Sequence, residues 1–176
     1  KNNINMFAAH TNLDAAKGGT NDVLAEMIGL KNLTVLSEGC EDGIGIGKIG
    51  YFEGDMTLGM LSVKIKETLG LDAVRVIGNL SSKVEKAALC TGAGGEFMDD
   101  AVREGCDVFI TSDIRYHEAM DAVDKKIALI DATHYATENI IVPVIAQYLR
   151  KKLETRGIKD VEVIETTVNG QPFVHI

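Results

Sequence analysis

Val108-Phe109-Ile110-Thr111-Ser112-Asp113-Ile114-Arg115-Tyr116-His117 begins as a strand and ends inside a helix. Residues 108–111 form a short apolar run of the kind a β-strand shows. Ser112 and Asp113 interrupt it with polar side chains, and residues 114–125 then read as a helix. Working outward, residues 127–131 form the next strand, and a long helix follows to about Arg156, where Gly157 can end it. Upstream, residues 73–77 and 87–90 read as strands. The second of these runs into Thr91-Gly92-Ala93-Gly94-Gly95 and a helix over 96–104. Strands alternating with helices predict a layered α/β fold, with a mostly parallel sheet, flanking helices and an antiparallel edge.

The remaining segments fit around that unit. Residues 4–9 are expected to form a strand ending at His10, before Lys17-Gly18-Gly19 breaks the chain. Thr20 or Asn21 can cap a helix to Gly29, with Val23, Leu24, Met27 and Ile28 on its apolar face. Residues 34–37 read as a strand, and the glycine-rich stretch 39–50 as a turn feeding a strand that continues to Glu53. Thr57 can cap a helix to Leu69 whose Leu58, Leu61 and Ile65 share a core-facing side. Pro143 either kinks the long helix or marks the first turn of a second segment. Residues 161–166 and 172–176 flank Asn169-Gly170, the signature of a C-terminal antiparallel hairpin. The 176 residues read as a single α/β region.

Bulk properties narrow the partners. A net charge of −8, with no basic cluster beyond Arg150-Lys151-Lys152, argues against a nucleic-acid or anionic-membrane surface. Three cysteines, Cys40, Cys90 and Cys106, without a C-x-x-C, point to reduced thiols and a cytoplasmic setting. Cys90 lies in an apolar run and reads as core, not as a nucleophile. No signal peptide or membrane-spanning stretch is visible.

Two strings share one grammar. His10 is followed by Asp14, and His134 by Glu138, each after an apolar strand-like run. The repeat hints at an internal duplication. Strands of an α/β sheet direct their carboxyl ends to a common crevice, so the two strings can meet. Imidazole and carboxylate are a natural ligand pair for a borderline divalent metal. At a helix start, positions i and i+4 share a face, so His134 and Glu138 can reach one ion; Glu138 can equally serve only the helix dipole. The spacing fits both readings. Asp14 can instead cap local structure, and His10 can be a hydrogen-bonded, half-buried imidazole. Asp113 can orient a metal-bound histidine, or cap the helix that contains His117. The 91–95 loop precedes a helix and can either cradle a phosphate or serve as a tight turn, but it matches neither G-x-G-x-x-G nor a Walker pattern. His175 receives no role.

Three segments carry a resemblance. Ala8-Ala9-His10-Thr11-Asn12-Leu13-Asp14 with Gly18-Gly19-Thr20-Asn21-Asp22, Ser112-Asp113-Ile114-Arg115-Tyr116-His117-Glu118-Ala119, and Asp131-Ala132-Thr133-His134-Tyr135-Ala136-Thr137-Glu138 resemble the GTP cyclohydrolase 1 type 2 homologs, whose eukaryotic members are named as an NGG-one-interacting factor three. Gly92-Ala93-Gly94-Gly95 fits as well, and the likeness covers essentially the whole chain. The resemblance implies a cytoplasmic homohexamer with two divalent metal ions (Zn, Fe, Mn or Mg) in an α/β fold. Asp14, His134 and Glu138 match its metal ligands, and His10 a site histidine beside the metals. Family members carry an earlier portion with an adjacent His-His pair, so the chain is expected to be the C-terminal two thirds of a longer one, without the extra inserted domain of some members. The functional expectation is a metal-dependent hydrolase of a small-molecule substrate, with His10, Asp113 and His117 orienting ligands or moving protons. The family name suggests GTP ring opening. A non-catalytic metal-binding or regulatory protein, or a partner-binding scaffold, is the alternative.

Overall fold

Successive side chains of a strand point to opposite faces, and in the central strands of this chain both faces are apolar. These strands are β4 (Lys86–Leu89), β5 (Val108–Thr111) and β6 (Ala128–Asp131). In the computed structural model, which describes residues 2–39 and 44–173, Leu89, Val108, Ile110 and Ile130 enter one core while Ala88, Phe109 and Leu129 enter another. The first core is closed by Leu24 and Ile28 of α2 (Thr20–Ile28) and by Leu58, Leu61 and Ile65 of α3 (Leu58–Thr68). The second is closed by Met98 and Ala101 of α4 (Met98–Arg103) and Ala122 of α5 (Tyr116–Lys125). The result is a sheet with helices on both sides. Each fully buried Leu, Ile or Phe contributes about 1.5–3 kcal/mol of transfer free energy to it.

The sheet also holds β1 (Lys31–Glu38), β2 (Gly45–Tyr51) and β3 (Arg75–Ile77), in the order β1-β2-β4-β5-β6-β3. Parallel pairing is confined to its centre, β4 with β5 and β5 with β6. The sequence reading of a mostly parallel sheet therefore holds for the middle alone. β1–β2, β2–β4 and β3–β6 are antiparallel. The connection from Glu38 to Gly45 cannot make a parallel crossover, which takes roughly a dozen residues or more.

Local expectations fare unevenly. Thr57 caps α3 by accepting the Met60 N–H at 3.2 Å. The long C-terminal helix is two segments, α6 (His134–Asn139) and α7 (Ile141–Thr155), with Pro143 in the first turn of the second, where its missing N–H leaves nothing unpaired. Residues 4–9 are not a strand. Among the described residues they pair with no strand, and Ile4, Met6 and Phe7 are 79%, 92% and 87% exposed, so neither a ladder nor a buried face holds them extended. His10 instead precedes a single turn, α1 (Thr11–Asp14), whereas His134 follows a strand and opens a helix. The two strings thus lack a common strand-to-helix frame, and the structure lends no support to a duplication. Residues 161–166 form no strand; Val161 and Ile164 are exposed, and residues 174–176 of the expected second arm lie outside the described residues. Cys40 and His175 lie outside them too. Among the described residues, no helix is long and apolar enough to cross a membrane.

Candidate functional site

Three parallel strands release their carboxyl-terminal loops at one edge of the sheet. β4 leads into Thr91-Gly92, β5 into Ser112-Asp113, and β6 into Thr133-His134. Two of these loops are held in backbone conformations that L-residues rarely adopt: Asp113 at φ +57° and the β-branched Thr133 at φ +62°. Such strain persists where surrounding contacts over-determine it. Asp131, 3% exposed at the end of β6, makes several of those contacts. Its Oδ2 accepts the Ile114 N–H at 3.0 Å and its Oδ1 accepts the Thr133 N–H at 3.1 Å, while Arg75 pairs with Oδ2.

This places the His134 ring between two carboxylates. Nδ1 lies 2.7 Å from Asp113 Oδ2, and Nε2 lies 3.0 Å from Glu138 Oε1, one turn further along α6. Burial, the largest single influence, favours the neutral ring. The Asp113 hydrogen bond and the Glu138 charge together outweigh it and hold the imidazole above its ordinary pKa of 6.5. Gly92 (φ +69°) closes the other side. The positive φ favours glycine, and a Cβ there would stand 2.5 Å from Glu138 Oε1 and 3.3 Å from His134 Nε2, so a side chain at 92 would push the Glu138 carboxylate aside.

Asp14 and His10 join Glu138 across a cleft of about 260 Å³, also lined by Tyr135 and Asn139. Asn21 secures that wall. It is buried, donates to the Asp14 carbonyl at 3.1 Å and accepts the Thr91 N–H at 2.9 Å. Neither Thr20 nor Asn21 caps α2 as expected, since Gly19 occupies the cap position and both lie inside the helix. His117 is exposed in the first turn of α5 and forms no hydrogen bond with Asp113, His134 or Glu138. The structure thus brings His10, Asp14 and Glu138 to one cleft, joins Asp113 and Glu138 through His134, and leaves His117 apart.

The donor chemistry fits a divalent cation. Two donors of a tetrahedral ion stand roughly 3.4 Å apart, close to the 3.0 Å between His134 Nε2 and Glu138 Oε1. Nδ1 on Asp113 is the arrangement in which a carboxylate orients a metal-binding histidine. Among the described residues, however, no three His, Cys, Asp or Glu side chains form a ready-made cluster. Glu138 and the ring occupy each other's donor atoms, and Asp14 shares the cleft with Glu138.

The glycine-rich loop is built as a tight turn, with three of its N–H groups already bonded inside the protein. The N–H groups of Thr91, Gly92 and Gly94 are taken by Asn21 Oδ1, Thr137 Oγ1 and Thr111 Oγ1. Cys90, buried beneath it, has its thiol pushed up to about 12, first by burial and then by the charges of Asp14, Glu96 and Glu138, which makes it core and no nucleophile. Sequence reasoning gave no site role to Asn21, Arg75, Asp131 or Thr137. Asn21, Asp131 and Thr137 stood inside quoted motifs, the one signal that pointed to them, and Arg75 had none.

Residues 1–172 match the family Duf34/NIF3 (NGG1p interacting factor 3). A protein of Clostridium acetobutylicum named GTP cyclohydrolase 1 type 2 homolog is 35% identical over 174 residues, 98% of this chain and 65% of that protein. One of the same name from Streptococcus pneumoniae is 33% identical over 180 residues, 100% of this chain and 66% of the other. The chain thus spans about 65% of the length of these relatives. A Staphylococcus aureus hypothetical protein of solved structure shares the fold with a TM-score of 0.88 and 27% identity, over 95% of this chain and 67% of the other. A Bacillus cereus protein related to NIF3 superimposes with a TM-score of 0.89 at 23% identity, over 97% and 73%, a likeness of fold.

Proposed function

The chain belongs to the Duf34/NIF3 (NGG1p interacting factor 3) family, and from that premise we propose that it is a divalent-metal-dependent hydrolase acting at the strand-end cleft. The observation that carries this reading is the His134 imidazole, bonded to Asp113 through Nδ1 and facing Glu138 through Nε2. His134, Glu138 and Asp14 are the residues that would hold metal. Three protein donors suit one ion, and a pair of ions (Zn, Fe, Mn or Mg) needs donors beyond these. When bound, a divalent ion supplies Lewis acidity and a nucleophile at neutral pH.

The chain's own residues have separate tasks. Asp113 accepts Nδ1–H and so leaves Nε2 as the donor nitrogen. Asn21 fixes the turn bearing Asp14 against the β4 loop. His10 edges the cleft as an exposed imidazole, placed to take up or release a proton at a bound small molecule. His117 has no step in this scheme. GTP is the first substrate to assay, because the relatives are named for its cyclohydrolase. The reading also includes assembly as a homohexamer in the cytoplasm, for which the uncovered Ile4, Met6 and Phe7 offer an apolar contact surface.

The test is Zn²⁺ and Mn²⁺ affinity measured beside hydrolysis of GTP and a phosphoester panel. His134→Ala and Glu138→Ala are expected to abolish both affinity and turnover. Tight metal binding without turnover would favour the non-catalytic regulatory alternative. Affinity and turnover unchanged in both variants would overturn the site.

A further inference from the structure

Asp131 and Arg75 do not line the cleft, yet they tie together the two loops from which Asp113 and His134 meet. Asp131 and Arg75 are paired across the antiparallel β3–β6 ladder. The Asp131 carboxylate is buried, and its two oxygens serve different loops: Oδ2 the Ile114 N–H just after Asp113, and Oδ1 the Thr133 N–H just before His134. Arg75 Nη2 bridges the same pair, bonding Asp131 Oδ2 and donating to the Ile114 carbonyl at 2.9 Å. The residues thus fixed are Thr133, itself one of the two strained positions, and Ile114, the neighbour of the other, Asp113. Asp visits φ near +60° more readily than most residues, whereas a β-branched Thr is an outlier there, so these bonds weigh most at Thr133.

We propose that Arg75 and Asp131 are positioning residues that hold Asp113 and His134 in mutual aim, and so set the donor direction of His134 Nε2. The metal-affinity part of this inference rests on the hydrolase reading above; the hydrogen-bond part does not. A buried carboxylate with three protein bonds organises the site without touching its ligand. Asp131→Asn replaces one acceptor oxygen by a donor NH₂, so whichever way the amide turns one of the two loops loses its acceptor, at constant shape. Arg75→Gln removes the bridging cation from the outside, where the Arg75 side chain is 68% exposed and the fold has less to lose.

The experiment has two arms on the whole chain. The first follows the His134 Nδ1–H proton resonance in metal-free protein, assigned by its disappearance in His134→Ala. Asp131→Asn and Arg75→Gln are expected to lose or shift it as Asp113→Asn does, and Arg75→Lys to restore it. The second measures Zn²⁺ affinity by competition with a chromophoric chelator. Asp131→Asn and Arg75→Gln are expected to weaken it by about ten- to a hundred-fold, and to add little further loss in an Asp113→Ala background, because they act through that residue. Should Asp131→Asn fail to fold, Arg75→Gln and Arg75→Lys decide the matter. Folded variants that keep the ring resonance and stay within twofold of the original affinity would overturn the proposal. A wild-type protein that shows the resonance but binds no Zn²⁺ would overturn the hydrolase reading and leave the positioning claim to the first arm.

Discussion

Thr137 carries no charge and touches no cleft, yet one hydroxyl joins all three site loops. Its Oγ1 accepts the Gly92 N–H at 3.1 Å, lies 3.2 Å from Ser112 Oγ and donates to the His134 carbonyl at 2.9 Å. Thr137 is fully buried, so water cannot replace a lost partner. Thr137→Val keeps the shape and removes the hydroxyl. It is expected to cost about 1–3 kcal/mol, because the Gly92 N–H is left buried and unpaired, as read by chemical denaturation; a loss below the error of that measurement would contradict the account. The legibility of the site divides at this scale. His134 and Glu138 are readable because helix periodicity alone brings i and i+4 together, and the structure has them in contact. Thr137, Asn21 and Asp131 are not readable in this way. Their partners stand at Gly92, Thr91 and Ile114, and a small polar residue gives no sign in the sequence of which distant backbone group it will satisfy.

Helix α5 shows how an element fixes the direction of its loop. Glu118 accepts the Arg115 N–H at 2.8 Å, the carboxylate half of a capping box, and so sets where the chain leaves Asp113 and turns into the helix. The Arg115 guanidinium bonded to Glu118 holds its carboxyl below the usual carboxylate range, against the opposing effect of burial. A depressed folded-state pKa gives stability that is present above the ordinary value and is lost as pH falls through the folded one. The wild-type advantage over Glu118→Gln is therefore expected to be steady from about pH 7 to 5 and to close below about pH 4. Because Arg115 is largely solvent-exposed, the advantage is expected to stay under about 1 kcal/mol and to shrink with salt. An advantage that grew on acidification would reverse the assignment. Elements with a strong internal signal were legible: the Thr57 cap, the α3 face and the Pro143 break all stand as read. Residues 4–9 and 161–166 were not, because apolar composition marks a segment able to join a sheet, while pairing requires a neighbouring edge that composition cannot name.

At the scale of the molecule, one topological fact gathers the chemistry. β4, β5 and β6 run parallel, so Gly92, Asp113 and His134, far apart along the chain, leave the sheet at the same edge. Helix–strand alternation made that centre legible. An antiparallel edge was expected, but not its extent on both flanks, since the order and direction of β1, β2 and β3 follow from connection lengths and pairing partners more than from pattern. Asp14 and His10 then reach the edge from a separate turn, pinned by Asn21. The central claim is that these groups gather around one cation. Its most direct test is an anomalous difference map from crystals of the protein grown with Zn²⁺. The account predicts a peak about 2.0–2.2 Å from His134 Nε2 and from carboxylate oxygens of Glu138 and Asp14. A map with no peak there, and with His134 still hydrogen-bonded to Glu138, would contradict it.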